Sequence, residues 1–195
     1  MTDPKAHPVT VTGDPEADEV NSSNAFALVV SLMLDQQYGV EHAFRGPWKV
    51  LNRMGSFEPS AIAAADPEEF KALCSQTPAI HRFPGSMAGR MQELAAFIVS
   101  TYDGDTARLW EEADSGKDLL KRIQALPGFG KQKSQIFVAL LAKQLDVRPE
   151  GWEAAAGDYA LEGHRSVADI VDQDSLLKVR EFKKQKKAAA KASAS

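Results

Sequence analysis

Two stretches of the chain carry residue types whose spacing suits chemistry. One is Leu126-Pro127-Gly128-Phe129-Gly130-Lys131-Gln132-Lys133-Ser134. Gly128 and Gly130 permit positive φ and let the main chain approach another molecule closely, and the positions after them open a helix whose first N–H groups have no intrahelical acceptor. Glycines before a helix start and lysines within it suit an anion site, because the unpaired N–H groups and the helix dipole both favour negative charge; an ordinary αα-hairpin is the other reading of the same pattern. The other stretch is Asp35-Gln36-Gln37-Tyr38, at the end of an apolar run that begins at Ala25. Polar side chains closing an otherwise core-like helix stand at the edge of the core, beside a groove. They either face a ligand there or cap neighbouring backbone groups.

The elements that must hold these stretches read as helices, so the expected fold class is all-α. Ala25 to Gln37 is a strongly apolar helix behind the N-cap candidates Asn21, Ser22, Ser23 and Asn24. Val40 to Met54 is a second, interrupted at Gly46-Pro47 and closed at Gly55. A short helix over 59–65 precedes a clear start with Asp66 at N-cap, Pro67 at N1 and Glu69 at N3, after which Phe70, Leu73 and Cys74 face the core. An amphipathic helix runs from Met87 to about Thr101, and a short one surrounds Arg108-Leu109-Trp110. Asp118 to Leu126 is stopped by Pro127, Ile136 to Ala142 continues beyond the glycine turn, and Ser175 to about Lys187 is the last.

Composition bounds the rest. A chain of 195 residues can bury a proper core without a metal or disulfide staple. Cys74 is the single cysteine, so neither an intrachain disulfide nor a Cys-rich zinc site can form. No metal or organic cofactor is called for. No run of apolar residues is long enough to span a membrane and no basic-then-apolar leader opens the chain; the expectation is a cytoplasmic monomer with no membrane partner. Net charge is −4, unevenly placed. Residues 1–22 carry one lysine against five acids, residues 178–195 seven basic residues against one acid, and 23–177 hold 15 basic and 21 acidic groups. That divides the chain into a flexible acidic lead-in (1–22), a helical domain (23–177) and a basic tail, helical or disordered (178–195). The tail Lys183-Lys184-Gln185-Lys186-Lys187 either tracks phosphates or is merely solvated.

The string Leu-Pro-Gly-Phe-Gly-Lys over 126–131 resembles the hairpin of helix-hairpin-helix DNA-binding proteins, whose Gly-x-Gly amides hold a phosphate without reading sequence. Leu34-Asp35-Gln36-Gln37 is similar to the Leu-x-Gln-Gln signature of the base-excision DNA glycosylases of that superfamily (HhH-GPD), and it precedes the hairpin by about ninety residues, as there. The resemblance implies a helical glycosylase-like bundle that binds double-stranded DNA and receives an extruded damaged or mispaired base. Gln37 matches the position beside the lesion, with Gln36 and Tyr38 next to it. Gly128, Phe129, Gly130, Lys131, Lys133 and Ser134 would form the phosphate site, with a monovalent cation under the hairpin carbonyls as in relatives. Enzymes that extrude a base push a side chain into the vacated stack. The corresponding loop here supplies His81, Arg82 and Phe83, with inward packing of Phe83 as the other reading.

The family's carboxylate lies about twenty residues past the hairpin glycines, where it serves an oxocarbenium-like sugar. Counting on from Gly130 gives Glu150, in a Pro-Glu-Gly-Trp setting that departs from the usual Asp; Asp146, Glu153 and Asp158 stand nearby, and a solvated loop acid is the alternative. Members that also cut the strand carry Lys as seventh residue of the hairpin string, where this chain has Gln132. Lys131 and Lys133 flank it but would project about 100° away on a helix. The implied activity is hydrolysis of the N-glycosidic bond without β-lyase action. A non-catalytic protein recognising distorted or abasic DNA is the competing reading.

Overall fold

The computed structural model describes residues 9–194, and among them the chain is made of helices and turns without a strand. The first helix, α1 (Pro15–Ser23), starts at Asp14, whose side chain accepts from the Glu16 N–H. Here the flexible lead-in is corrected. Val9 and Val11 are buried in the core, and one carboxylate oxygen of buried Asp18 accepts from the Val11 and Thr12 N–H groups and the Thr12 hydroxyl, at 3.2, 2.9 and 2.8 Å. The Thr10 hydroxyl donates to the Val171 carbonyl at 2.6 Å. Contacts that distant order a segment whose local text has no periodicity. Residues 1–8 of the lead-in lie outside the described residues.

α2 (Ala25–Leu34) is capped by the Asn24 side chain, which accepts from the Ala27 N–H, and is buried from Phe26 to Leu34. It ends earlier than its composition suggests, since Asp35 turns out of helical geometry and Gln37 adopts φ +52°. α3 (Val40–Ala43) and α4 (Gly46–Met54) flank the break at Phe44-Arg45, with Pro47 in the first turn of α4 and Gly55 closing it at φ +80°. α5 (Pro59–Ala64) and α6 (Pro67–Ser75) follow, the latter capped by Asp66 accepting from Glu68 and Glu69. α7 (Pro84–Tyr102), the long amphipathic helix, packs across both.

The second half runs α8 (Arg108–Glu111), α9 (Gly116–Gln124), α10 (Lys131–Gln144) and α11 (Trp152–Ala156), then 3-10 turns at Gly157–Ala160 and Val167–Asp169, then α12 (Gln173–Ser193). α10 is the hub, packed on α9, α11 and both 3-10 turns. One apolar core joins the halves, from Phe26 and Leu32 on α2 through Met91 and Leu94 on α7 to Phe137 and Leu140 on α10. Cys74 is part of it; burial pushes its thiol up to about 12, so it stays protonated and inert. α12 is anchored by buried Leu176 and Val179 and by an ion pair between Arg180 and Glu41. Burying each such side chain is worth about 1.5–3 kcal/mol, enough to seat the first half of the helix. The basic tail is therefore docked at its start through Val179 and Arg180 and exposed from Lys183 on.

Candidate functional site

The glycine turn is built from its apolar ends. Leu126 and Phe129 are buried, Phe129 against Phe137 with ring centroids 6.4 Å apart, and Gly128 bends between them at φ +83°. A Cβ on Gly128 or Gly130 would meet nothing within 4 Å, so the outer face of the turn is open. The first donor of the α10 ladder is Ser134, whose N–H reaches the Gly130 carbonyl at 3.0 Å. The N–H groups of Lys131, Gln132 and Lys133 therefore precede the ladder and face outward along the helix axis. Ser134 departs from its expected phosphate role, because it is buried and both its N–H and its hydroxyl donate to Gly130, the hydroxyl at 2.7 Å. It braces the turn from within. A monovalent cation would need several carbonyls aimed at one point; those of Leu126 and Gly130 already accept from Phe129 and Ser134.

The glutamine turn is clamped by the loop that follows α6. His81 is 3% exposed; its Nε2–H donates to the Gln36 carbonyl at 2.9 Å, and its Nδ1 accepts from the Phe83 N–H at 3.0 Å. That pair of bonds fixes a neutral ring, and burial lowers its proton affinity further. The Tyr38 ring lies 4.8 Å from the His81 ring, Arg82 donates to the Gln37 carbonyl, and Arg90 donates to Gln36 Oε1 at 3.1 Å. Of the three wedge residues, His81 is thus interior and structural, Arg82 is exposed and tied back to Gln37, and Phe83 projects with half its surface exposed.

Between the end of α2, the start of α10 and α12 lies a cavity of about 560 Å³. Asp35, Gln37 and Tyr38 line one side; Gln132, Lys133 and Tyr159 line the floor; Phe182 and the lysines of α12 form the third wall. Lys133 does not reach for solvent as helical geometry alone suggests. It is half-buried, its Nζ donating to the Met33 carbonyl at 3.1 Å, and burial lowers its proton affinity against the pull of Asp35. Gln132 donates to the Tyr159 hydroxyl at 2.9 Å. Burial raises the Asp35 carboxyl above its ordinary value, opposed by the charges of Lys183 and Lys133.

Glu150 lies elsewhere. It is exposed, and its carbonyl accepts from the Gly116 N–H at 2.8 Å, which sets it at the start of α9 while the hairpin follows the end of that nine-residue helix, about 13 Å away along the axis. It does not line the cavity. Asp146 pairs with Arg148 at 3.2 Å, and Glu153 and Asp158 are exposed. Among the described residues the one carboxylate in the cavity lining is Asp35, which sequence reasoning grouped with the polar helix end without giving it a role. Its signal was adjacency to Gln37, outweighed by counting forward from the hairpin.

An all-helical domain with an open Gly-x-Gly hairpin at the rim of a cationic cavity is the architecture of a helix-hairpin-helix protein. Residues 30–194 match the HhH-GPD superfamily of base excision DNA repair proteins, and the chain belongs to that family, which implies DNA binding. No curated protein and no solved structure matches the chain. Among the described residues no helix is long and apolar enough to cross a membrane.

Proposed function

We propose that this protein is a monofunctional DNA glycosylase that hydrolyses the N-glycosidic bond of a damaged or mispaired base. The observation that carries the reading is that Gln37, Asp35 and the first turn of the hairpin helix line one cavity, large enough for a nucleotide and next to open hairpin amides. In this reading the amides hold a phosphate of the lesion strand, Phe83 fills the gap in the stack, and the everted nucleotide enters the cavity beside Gln37. Asp35 is the carboxylate that serves the sugar. Ionised, it favours the oxocarbenium-like transition state and accepts a proton from the attacking water, while the base leaves with the bonding pair. A raised carboxyl is the stronger base. Gln132 holds an amide, which cannot form a Schiff base, where strand-cutting relatives have an amine, and the Lys133 amine is directed at the Met33 carbonyl; both support the reading without lyase action.

The test is a panel of lesion-bearing duplexes incubated with wild type, Asp35→Asn and Glu150→Gln, then treated with alkali. Strand cleavage only after alkali, lost in Asp35→Asn and kept in Glu150→Gln, is the expected pattern. Loss in Glu150→Gln alone would return the carboxylate role to the post-hairpin position. Borohydride trapping of a covalent enzyme–DNA complex would assign Lys133 as a nucleophile and end the monofunctional reading. The distance of Glu150 from the cavity favours a second reading, recognition of distorted or abasic DNA without chemistry. It predicts tight binding to an abasic-analogue duplex and no base release from any lesion.

A further inference from the structure

The cavity is more cationic than bond cleavage at a sugar requires. Among the described residues Lys133, Arg165, Lys183, Lys186 and Lys187 line it against the single carboxylate of Asp35. Two aromatic rings stand in its wall away from the glutamine turn, Tyr159 and Phe182, and each already carries a cation of the protein itself. Lys186 Nζ lies 5.6 Å from the Tyr159 centroid, and Arg165 Cζ lies 5.7 Å from that of Phe182. The third ring, Tyr38, packs between His81 and His42 at 4.8 and 5.6 Å. Lys183 and Lys187 can meet phosphates passing the mouth, but Lys133, Arg165 and Lys186 are held against main chain or rings and remain in the wall.

A base that arrives as a cation, as a purine alkylated at N3 or N7 does, is bound by bare aromatic faces and by carboxylates. Here each ring already carries a cation and the carboxylate of Asp35 is opposed by lysines, so such a base meets net repulsion. A neutral base bearing carbonyl oxygens meets the opposite environment. Its oxygens accept from the ammonium and guanidinium groups, and its ring nitrogen keeps the bonding pair when the glycosidic bond breaks. Water oxygen bonds to C1′, the water proton passes to Asp35, and the base departs as an anion that later takes a proton from solvent. Fixed cations around that developing charge lower the barrier.

Resting on the glycosylase reading above, we infer that the substrate is a neutral, carbonyl-bearing base, an oxo-pyrimidine or oxo-purine leaving as an anion, and that N-alkylated cationic purines are rejected. The test measures single-turnover release, at saturating full-length protein, from duplexes carrying uracil, 5-fluorouracil, 8-oxoguanine or 7-methylguanine in one sequence context. At least one oxo base should leave tenfold or more faster than 7-methylguanine, although the glycosidic bond of the latter is intrinsically the weaker. In Lys186→Gln, an exposed position whose loss leaves the fold intact, and in Lys186→Gln combined with Arg165→Gln, the advantage of 5-fluorouracil over uracil should grow and the rejection of 7-methylguanine should relax. Faster release of 7-methylguanine than of every oxo base overturns the inference and leaves the glycosylase reading standing, as does a selectivity ratio unmoved in both variants. Release of none of the four removes the glycosylase reading and this inference with it.

Discussion

Asp35 stands where burial and charge pull against each other, and that conflict gives it a measurable signature. Its carboxyl is raised because burial penalises the anion more than Lys183 and Lys133 stabilise it. A general base works only when ionised. Base release should therefore rise with pH through the elevated Asp35 value and then level off, with its acidic limb above the range of an ordinary aspartate, about 3.9. Asp35→Asn should remove the limb and lower the single-turnover rate by about 10²–10⁴, the usual worth of a positioned acid or base, with binding to an abasic-analogue duplex retained. A pH–rate profile of both proteins checks this, and an unchanged limb in the variant would exclude Asp35. The wedge loop gives a second contrast between neighbours. Phe83 is 51% exposed, so Phe83→Ala should change stability by less than about 0.5 kcal/mol yet weaken base extrusion, read as a smaller fluorescence rise of 2-aminopurine placed beside the lesion. His81→Ala should behave in reverse, losing about 1–3 kcal/mol of stability because the Gln36 carbonyl and the Phe83 N–H lose their buried partner.

At the scale of elements, two glycines that look alike in the sequence have opposite work. A Cβ on Gly116, the first residue of α9, would lie 2.5 Å from the Trp152 nitrogen and 2.6 Å from the Gly151 carbonyl oxygen, main-chain atoms that cannot swing aside. Gly116→Ala should force α9 off the turn before α11 and cost about 1–3 kcal/mol as an overpacked contact. Gly130 has open space at its Cβ and an ordinary φ of −79°. Gly130→Ala should cost less than about 1 kcal/mol, the scale of an N-cap change, but weaken DNA binding because the methyl stands where a phosphate must approach. Thermal unfolding and abasic-duplex affinity of the two variants, measured together, separate the roles. The same contrast explains what was legible in the sequence. Local signals located the Asp66 cap, the Gly55 end of α4, the long amphipathic α7 and the glycine turn, since each is decided within a few residues. What depended on distant partners was not legible. The Val9–Thr12 segment is ordered by Asp18 and Val171, Lys133 is turned inward by the Met33 carbonyl a hundred positions earlier, and Glu150 is drawn away from the hairpin by Gly116.

For the molecule as a whole, an acidic body must hold a polyanion, and net charge of −4 gives no general attraction. Binding then rests on a local cationic face, and α12 supplies it by placing Lys183, Lys186 and Lys187 three and four residues apart, on one side of a helix, at the cavity mouth. The anchor for that face is separate from it, since Leu176, Val179 and the Arg180–Glu41 pair lie on the preceding turns. Function and docking are thus divided along one helix. Replacing Lys183, Lys186 and Lys187 together by Gln should leave the unfolding temperature unchanged, because all three are exposed. Each phosphate left without its lysine takes about 0.9 from the slope of log affinity against log salt, so with Lys183 and Lys187 as the phosphate contacts and Lys186 held on the Tyr159 ring, the triple variant should flatten that slope by up to about 2. The weakening should be equal for lesion and undamaged duplexes, since phosphates carry no sequence or lesion information. Titrations of both duplexes at several salt concentrations measure it. A slope unchanged in the variant would mean that DNA passes the hairpin without reaching α12, and would confine the interface to the glycine turn and the wedge loop.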